Sequence, residues 1–175
     1  MLKLVAVNRK NFKDMPKECK RCFYWQTMDK FTGKNLREEK EKKRLEWFIR
    51  MKLETGCSGG FIAYQDNTAV GFVQCAPAKY FPNVKEYPSG LPSEDAAFLA
   101  CLYVPNKENQ RKGVGTLILK TGIKQLRQQE FKAVETFARK TSPENPSGPL
   151  GFYLKNGFKI KSDDEDFPLV RLALE

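Results

Sequence analysis

The chain has 175 residues, 41% of them hydrophobic, and a formal net charge of +10. This length suits one domain with a core of its own, and the composition excludes an intrinsically disordered chain. The absence of histidine excludes histidine-based triads and histidine metal ligands, and the longest apolar run, nine residues at 96–104, is too short for a membrane-spanning helix of about twenty.

The N-terminal part of the chain is predicted to hold one strand and two helices. Residues 2–7 are interpreted as a strand and not as a signal peptide, because no charged segment precedes a long apolar stretch. A short helix within residues 11–27 carries Cys19 and Cys22. A longer amphipathic helix with a charged face is predicted at residues 35–54.

The five cysteines, an odd number in a chain without a visible export signal, indicate a reduced, cytoplasmic protein. Cys19 and Cys22 have the C-x-x-C spacing of redox and zinc sites, but the chain has neither a second such pair nor a histidine to complete a zinc site. We therefore expect two packed thiols on one helix face, and no bound metal.

The middle of the chain is predicted to be a hairpin followed by a long loop. Strands at residues 60–64 and 69–76 flank Gln65-Asp66-Asn67-Thr68, a favourable turn sequence. Residues 77–95 contain four prolines and are predicted to be a loop that is either functional or disordered.

The second half of the chain is predicted to alternate between strand and helix. Residues 96–104 are apolar on both faces, as a central strand requires. The further predicted elements are a helix at 113–129, a strand at 131–138, a short helix at 148–155 with Pro149 in its first turn, and a strand pair at 158–161 and 169–174. No repeat and no second core are visible, so residues 1–175 are predicted to form a single α/β domain.

A candidate phosphate-binding segment, Gln110-Arg111-Lys112-Gly113-Val114-Gly115, lies between the predicted central strand and the next helix. Small residues let a ligand approach the backbone, and first-turn amides with the helix dipole suit a pyrophosphate. An exposed basic loop before a glycine-rich helix start explains the same residues. A P-loop sequence is absent. A Rossmann fingerprint is excluded because Ile118 occupies its third glycine position and residues 105–112 separate the strand from the turn.

Two motifs resemble the GNAT superfamily of N-acetyltransferases. Leu102-Tyr103-Val104 followed by Gln110 to Gly115 is similar to its acetyl-CoA signature, [RQ]-x-x-G-x-[GA], and Phe152-Tyr153-Leu154-Lys155-Asn156-Gly157-Phe158 is similar to F-Y-x-x-x-G-F. The resemblance implies a single GNAT-like domain of the α/β (α+β) class. It implies a mixed sheet of about seven strands, with two splayed parallel strands at its centre and about four flanking helices.

The resemblance also implies acetyl-CoA as cosubstrate. Its pantetheine arm is expected in the gap between the central strands, bonded to the backbone at Leu102 and Val104. Its pyrophosphate is expected on the amides from Arg111 to Gly115. Many members carry an asparagine seven residues before the motif tyrosine, where this chain has Pro146 and, one residue earlier, Asn145.

Acetyl transfer to an amine requires one group that accepts a proton from the amine and another that donates a proton to the leaving thiolate. The family motif assigns the donor to Tyr153. Without histidine, the acceptor must be a carboxylate, acting directly or through water, and the candidates are Glu94, Asp95 and Glu135. Each of these carboxylates also fits a surface or rim charge.

The predicted function is transfer of an acetyl group from acetyl-CoA to an amine of a small molecule or peptide, by direct attack in a ternary complex. A non-catalytic acyl-CoA-binding sensor or scaffold is the alternative. The net charge also suits nucleic acid, but the basic residues are dispersed and no R-G-F-x-F-type motif is present, so nucleic-acid binding is disfavoured. The identity of the acceptor and the existence of a homodimer stay open.

Overall fold

The computed structural model of the chain describes residues 1–27, 36–141 and 148–174. One seven-stranded sheet contains β1 (Leu2–Ala6), β2 (Gly60–Gln65), β3 (Thr68–Pro77), β4 (Ala96–Tyr103), β5 (Ala133–Phe137), β6 (Lys159–Ser162) and β7 (Leu169–Ala173). The α-helices of the described residues are α1 (Lys17–Lys20), α2 (Leu36–Thr55), α3 (Val114–Leu126) and α4 (Leu150–Lys155). None of these helices is long and apolar enough to cross a membrane.

The strands lie in the order β1-β2-β3-β4-β5-β7-β6, and β4 and β5 are the parallel pair at the centre. The predicted mixed sheet with flanking helices is thus confirmed. In the hairpin that joins β2 to β3, Asp66 (φ 49°) and Asn67 (φ 67°) both adopt left-handed backbone conformations. Two such residues form a turn whose twist matches that of the strands, which explains why this sequence closes a tight hairpin.

The parallel pairing of β4 and β5 ends after three residue pairs, the last of which joins Phe98 to Glu135. β4 nevertheless continues to Tyr103 along its other neighbour, β3. Gln74 of β3 pairs with Cys101, and the next residue, Cys75, pairs with Leu99, so Ala100 is an extra residue in β4. Because a bulge of this kind bends a strand, β4 turns away from β5, and the predicted splay of the two central strands is confirmed.

Helices cover both faces of the sheet. On one face α2 buries Trp47, Phe48 and Met51 in a largely aromatic core that also holds the residues after α1. On the opposite face α3 packs Ile118 and Leu119 against β1, β3 and β4, and α4 belongs to the same layer. The splay between β4 and β5 therefore lies between two helical layers, with the start of α3 beside it.

The expectation that Cys19 and Cys22 pack together on one helix face is wrong. α1 ends at Lys20, so Cys22 follows the helix and is exposed, whereas Cys19 is buried. The start of α4 also differs from the prediction, because Pro149 is its N-cap residue and does not lie in its first turn.

The proline-rich segment after β3 is ordered and forms part of the core. It contains two 3-10 turns, Ala78–Tyr80 and Pro82–Glu86, and it buries Phe81 and Tyr87 among the aromatic residues of the α2 face. This outcome excludes the disordered interpretation of residues 77–95. The predicted helix start at residue 35 and the positions Asn145 and Pro146 lie outside the described residues.

Replacing Gly71 of β3 with alanine should destabilise the protein by about 1–3 kcal/mol, because a new Cβ has no room. That atom would lie 2.5 Å from Ile118 Cδ1 of α3 and 3.0 Å from the backbone oxygen of Tyr103. The matched control is Gly151→Ala in α4, where a Cβ meets nothing within 4 Å. The control should be neutral or stabilising by about 0.5–1 kcal/mol, since alanine favours a helix. Urea unfolding midpoints compare the two variants, and equal midpoints would contradict the packing described for α3.

Candidate functional site

A cleft of about 870 Å³ opens where β4 and β5 diverge. Its walls are the end of β4, the loop that follows, the first turn of α3, and the segment that leads into α4. Six of the eight residues predicted to bind a cofactor line it, namely Leu102, Val104, Gln110, Arg111, Gly113 and Gly115. Lys112 and Val114 lie in the same stretch of backbone but do not line the cleft.

The first turn of α3 presents backbone N–H groups at the cleft. Gly113 is the N-cap residue of this 13-residue helix, and its φ of +82° is a conformation that favours glycine. Glycine has no side chain to cap the first-turn amides, and no capping hydrogen bond is made from this position. Amides without an intrahelical acceptor, together with the helix dipole, form a binding site for an anionic group.

The charges around the cleft favour an anion of high charge. Arg111 (φ 60°) and Arg139 both line it, and Lys112 is exposed beside Arg111. No aspartate or glutamate is present among the described residues that line the cleft. A concave surface with charges of one sign concentrates ligands of the opposite sign. The predicted pyrophosphate-binding role of this segment is therefore consistent with its electrostatics.

Two side chains hold the backbone at the ends of the splay. The Thr136 hydroxyl donates a hydrogen bond to the Leu99 carbonyl at 2.7 Å, at the point where β4 and β5 part. The Gln110 side-chain amide donates to the Val104 carbonyl at 2.9 Å and so ties the loop to the end of β4. Between these two bonds, the edge of β4 that faces β5 makes no ladder pairing in the described part of the chain. Gln110 thus contacts the backbone directly after β4.

Tyr153 of α4 lines the cleft although it is only 1% exposed. Burial raises the pKa of its hydroxyl to about 12, against the opposing effect of hydrogen bonds with the Thr136 side chain and the Gly148 backbone. The hydroxyl therefore keeps its proton at neutral pH. A Cβ on Gly148 would lie 3.1 Å from the Tyr153 oxygen, so glycine leaves the space that this contact needs.

Sequence reasoning missed several residues of the site. Arg139 and Gly148 line it because residue 139 pairs with Pro149 beyond the end of β5, where the backbone of Arg139 also bonds to Gly148 and Leu150. The motif that identified Tyr153 gives no signal for these positions. Their role depends on a long-range pairing that local sequence patterns do not encode.

The predicted base candidates do not line the cleft. Glu135 is fully buried and accepts hydrogen bonds from Arg171 Nη1 at 2.7 Å, Lys161 Nζ at 3.0 Å and the Ser93 amide at 2.7 Å. Asp95 forms a two-point ion pair with the same Arg171, at 3.0 and 2.9 Å. Arg171 therefore gathers both carboxylates into one ion-pair cluster.

The ion pairs make both carboxylates weaker bases. Burial alone would raise the pKa of Glu135, but the hydrogen bonds from Arg171, Ser93 and Lys161 outweigh it and hold that pKa below its ordinary value. The hydrogen bond from Arg171 likewise lowers the pKa of Asp95. Glu94 lies along a second cavity of about 700 Å³, bounded by residues 77–85 and 91–94. A catalytic role for these three carboxylates stays a prediction, and the geometry gives it no support.

A metal centre is equally without a structural basis. Among the described residues, no group of three or more Cys, Asp or Glu side chains is placed to hold a metal ion. The chemistry that the cleft offers is hydrogen bonding and positive charge.

Comparison with protein-family models matches residues 18–158 to the acetyltransferase (GNAT) family. One similar solved structure is PaiA N-acetyltransferase of Thermoplasma acidophilum in complex with coenzyme A, with 15% identity, 99% of both chains covered and a TM-score of 0.61. A second is the ribosomal-protein-S18-alanine N-acetyltransferase of Escherichia coli, with 14% identity, 100% of this chain and 95% of that one covered and a TM-score of 0.58. A third is Campylobacter jejuni N-acetyltransferase PseH in complex with acetyl coenzyme A, with 16% identity, 100% of both chains covered and a TM-score of 0.58. At these identities the likeness shows the fold. A search of curated protein sequences finds no match.

Glu135→Gln should destabilise the protein by about 2–4 kcal/mol, because it leaves Arg171 and Lys161 beside a buried neutral amide. Since folding lowers the pKa of Glu135, its stabilising effect is present above the unfolded pKa of about 4.3 and is lost as the pH falls through the folded value. The melting temperature of the variant should therefore fall less on acidification than that of the wild type. Asp95→Asn, at a half-exposed pair, is the control and should cost less than about 1 kcal/mol. A Glu135→Gln variant as stable as the wild type would contradict the structural role.

Proposed function

The chain belongs to the acetyltransferase (GNAT) family, and we propose that it transfers an acetyl group from acetyl-CoA to an amine nitrogen of an acceptor. The observation that carries this proposal is the cleft between β4 and β5, which combines the free amides of the α3 first turn with the protonated Tyr153 hydroxyl. The first feature suits the anionic part of the donor, and the second suits its reacting end.

The cleft fits acetyl-CoA in two respects. The first-turn amides of α3, with Arg111 beside them, would hold the pyrophosphate. The backbone at Leu102 of β4 and at Val104 just after the strand, which β5 leaves without ladder pairing, would bond to the amide groups of the pantetheine arm. PaiA and PseH, the similar structures named above, hold coenzyme A and acetyl coenzyme A, which supports the same donor for this chain.

Acetyl-CoA supplies a thioester carbon that an amine can attack, and the leaving group is a thiol of pKa about 8.5 by analogy with cysteine. Tyr153 retains its proton at neutral pH, so it can donate a hydrogen bond to the sulfur as negative charge develops there. Direct attack in a ternary complex needs no covalent intermediate on the protein. We propose this route, with Tyr153 as the proton donor.

The attacking amine must lose a proton, since an alkylammonium has a pKa near 10. Asp95 and Glu135 are held in ion pairs with Arg171, and Glu94 lies along the second cavity. None of the three lines the cleft. We therefore propose that water carries the proton away from the amine, in place of direct contact with a carboxylate.

The proposed function is tested by incubating the protein with acetyl-CoA and a panel of amines that includes polyamines, amino sugars, lysine peptides and peptides with free N-termini. Release of free CoA thiol is followed by absorbance, and the acetylated acceptor is identified by mass spectrometry. Thiol release that depends on an amine, with a matching acetylated product, supports the proposal. Acetyl-CoA binding without turnover on any amine would favour the non-catalytic sensor or scaffold.

Gly115→Asp should abolish the rise in melting temperature that acetyl-CoA causes, while leaving the unliganded protein as stable as the wild type. A Cβ at Gly115 makes ordinary contacts, 3.6 Å from Leu102 Cδ2 and 3.8 Å from Phe152 Cε2. A carboxylate in the first turn of α3 interacts favourably with the helix dipole and so stabilises the helix, but it repels the phosphates. In the wild type, acetyl-CoA at 100 times its dissociation constant should add about 2.7 kcal/mol.

The matched control is Gly115→Asn, which has nearly the same size without the charge and should keep part of the rise. A rise in Gly115→Asp equal to that of the wild type would contradict the assignment of this turn to the pyrophosphate. NADH should give no rise in the wild type, and a rise would revive a dinucleotide-binding function.

Tyr153→Phe should lower the turnover rate by about 10²–10⁴-fold and leave acetyl-CoA affinity nearly unchanged, because the hydroxyl acts only as the thiolate leaves. Tyr103→Phe is the matched control, since it removes a second hydroxyl from the same cleft and should change the rate little. If Tyr153→Phe retains full turnover while chemistry limits the rate, the residue serves packing alone. If acetyl-CoA affinity collapses, the residue binds the donor and the proposed mechanism is wrong.

A further inference from the structure

A side chain takes the place of the first missing hydrogen bond between the two central strands. The parallel ladder ends with Phe98 of β4 and Glu135 of β5. The next residue of β5, Thr136, donates its hydroxyl hydrogen bond to the carbonyl of the next residue of β4, Leu99, at 2.7 Å. Both residues are buried, at 2% and 3% exposed. This bond therefore ties β5 to β4 at the inner end of the gap that opens between them.

The strand itself does not require this hydroxyl. Valine has nearly the same shape as threonine and is at least as favourable in a strand, and a buried hydroxyl is costly unless it is hydrogen-bonded. The Leu99 carbonyl has the matching need, because a buried backbone acceptor requires a partner and the ladder no longer supplies one. The bulge residue Ala100 follows directly. The hydroxyl thus holds β4 at the point where this strand begins to turn away from β5.

The Tyr153 hydroxyl lies on the same side of the sheet as the Thr136 side chain. Alternate residues of a strand share a face, so Thr136 faces the core that contains Val134 and Tyr153. A Cβ on Gly148 would lie 3.1 Å from the Tyr153 oxygen, and the Gly148 carbonyl accepts a hydrogen bond from the Arg139 amide, three residues after Thr136. The effect of Thr136 on Tyr153, whose pKa it lowers against the larger effect of burial, agrees with this closeness.

The gap has an inner end and a mouth. At the mouth, the Gln110 side chain bonds to the Val104 carbonyl, near the first turn of α3. Leu99 lies five residues before Val104, which is about 16 Å along an extended backbone. The phosphates proposed for the first turn of α3 are therefore distant from Thr136, whereas the proposed proton donor is close to it. A change at the inner end should affect the reacting group more than the binding of the phosphates.

We propose that Thr136 is a positioning residue for acetyl transfer: by holding Leu99, it fixes the separation of β4 and β5 beside Tyr153 and keeps the thioester of acetyl-CoA aligned with the Tyr153 hydroxyl. This inference rests on the proposed acetyl transfer. Thr136 does not line the cleft, so it acts through β4 and Tyr153 and not by contact with the donor. Because a displacement of about 1 Å can cost about a hundredfold in rate, a single hydrogen bond at this place is sufficient.

Thr136→Val tests the proposal, because it removes the hydroxyl and keeps the shape of the side chain. With an amine that the wild type acetylates, kcat should fall by about tenfold or more, while the Kd of acetyl-CoA changes by less than about threefold. Thr136→Ser keeps the hydroxyl and should restore most of kcat. The matched control is Thr121→Val in α3, which removes a hydroxyl bonded to the Leu117 carbonyl at 2.8 Å outside the cleft. It should leave both constants unchanged.

The outcomes separate this inference from the function on which it rests. A wild-type protein that acetylates no amine would remove the proposed function and the positioning role with it. An active wild type, together with a folded Thr136→Val variant of equal kcat, would overturn the positioning role alone. A loss of kcat that Thr136→Ser does not restore, or an equal loss of acetyl-CoA affinity, would also overturn it, since the hydroxyl at the reacting end would not be the cause.

The hydrogen bond itself is measurable without any acceptor. The chain has two Leu-Ala pairs, Leu99-Ala100 and Leu172-Ala173. Protein labelled with carbon-13 at the leucine carbonyls and nitrogen-15 at alanine therefore gives two NMR signals through the shared peptide bonds. Thr136→Val should shift the signal of the Leu99 carbonyl and leave that of Leu172 nearly unchanged. An unshifted Leu99 signal would overturn the proposed tie between the strands.

The wild-type protein decides the matter if Thr136→Val does not fold. A threonine hydroxyl proton that is held on a buried carbonyl should exchange slowly with water and give an NMR signal of its own. The exposed Thr68 provides the comparison within the same spectrum. A Thr136 hydroxyl proton that exchanges as fast as that of Thr68 would overturn the proposal.

Discussion

The end of strand pairing after Phe98 is the constraint on which the rest of the structure depends. Backbone N–H and C=O groups inside a sheet need hydrogen-bond partners. Because β4 and β5 part after three residue pairs, the backbone groups beyond that point need partners other than the neighbouring strand. Thr136 satisfies the Leu99 carbonyl, and Gln110 satisfies that of Val104. In the proposed complex, the amide groups of the donor would bond to the edge of β4 between these two hydrogen bonds.

The splay also explains where the charges lie. α3 follows β4 after a short loop, so the positive end of its dipole is carried to the mouth of the gap, next to Arg111. The carboxylates near the parallel pair are held elsewhere, by Arg171 of β7. A polyanion therefore meets positive potential in the cleft, and the ion pairs that stabilise the sheet stay outside it.

The opposite face of the sheet has a different chemistry. α2 was predicted to be amphipathic, yet it also buries the charged side chain of Arg44. This side chain donates hydrogen bonds to the Cys19 carbonyl of α1 and to the Gln74 side chain of β3. A cation in an aromatic core, stacked on Phe48 at 4.8 Å, specifies how α1, α2 and the central strands fit together.

The sequence by itself determined the order of the helices and strands, the hairpin turn at Asp66 and Asn67, the start of α3 at Gly113, and the place of Tyr153 in the motif that lines the cleft. These features depend on local backbone preferences and on contiguous motifs, which a sequence displays directly. Tertiary structure alone decided that Glu135 is bound to Arg171, and that Cys19 is buried while Cys22 is exposed. The reason is physical: the pKa and the partner of a buried ionisable group depend on residues that strand pairing and helix packing bring together from distant parts of the chain.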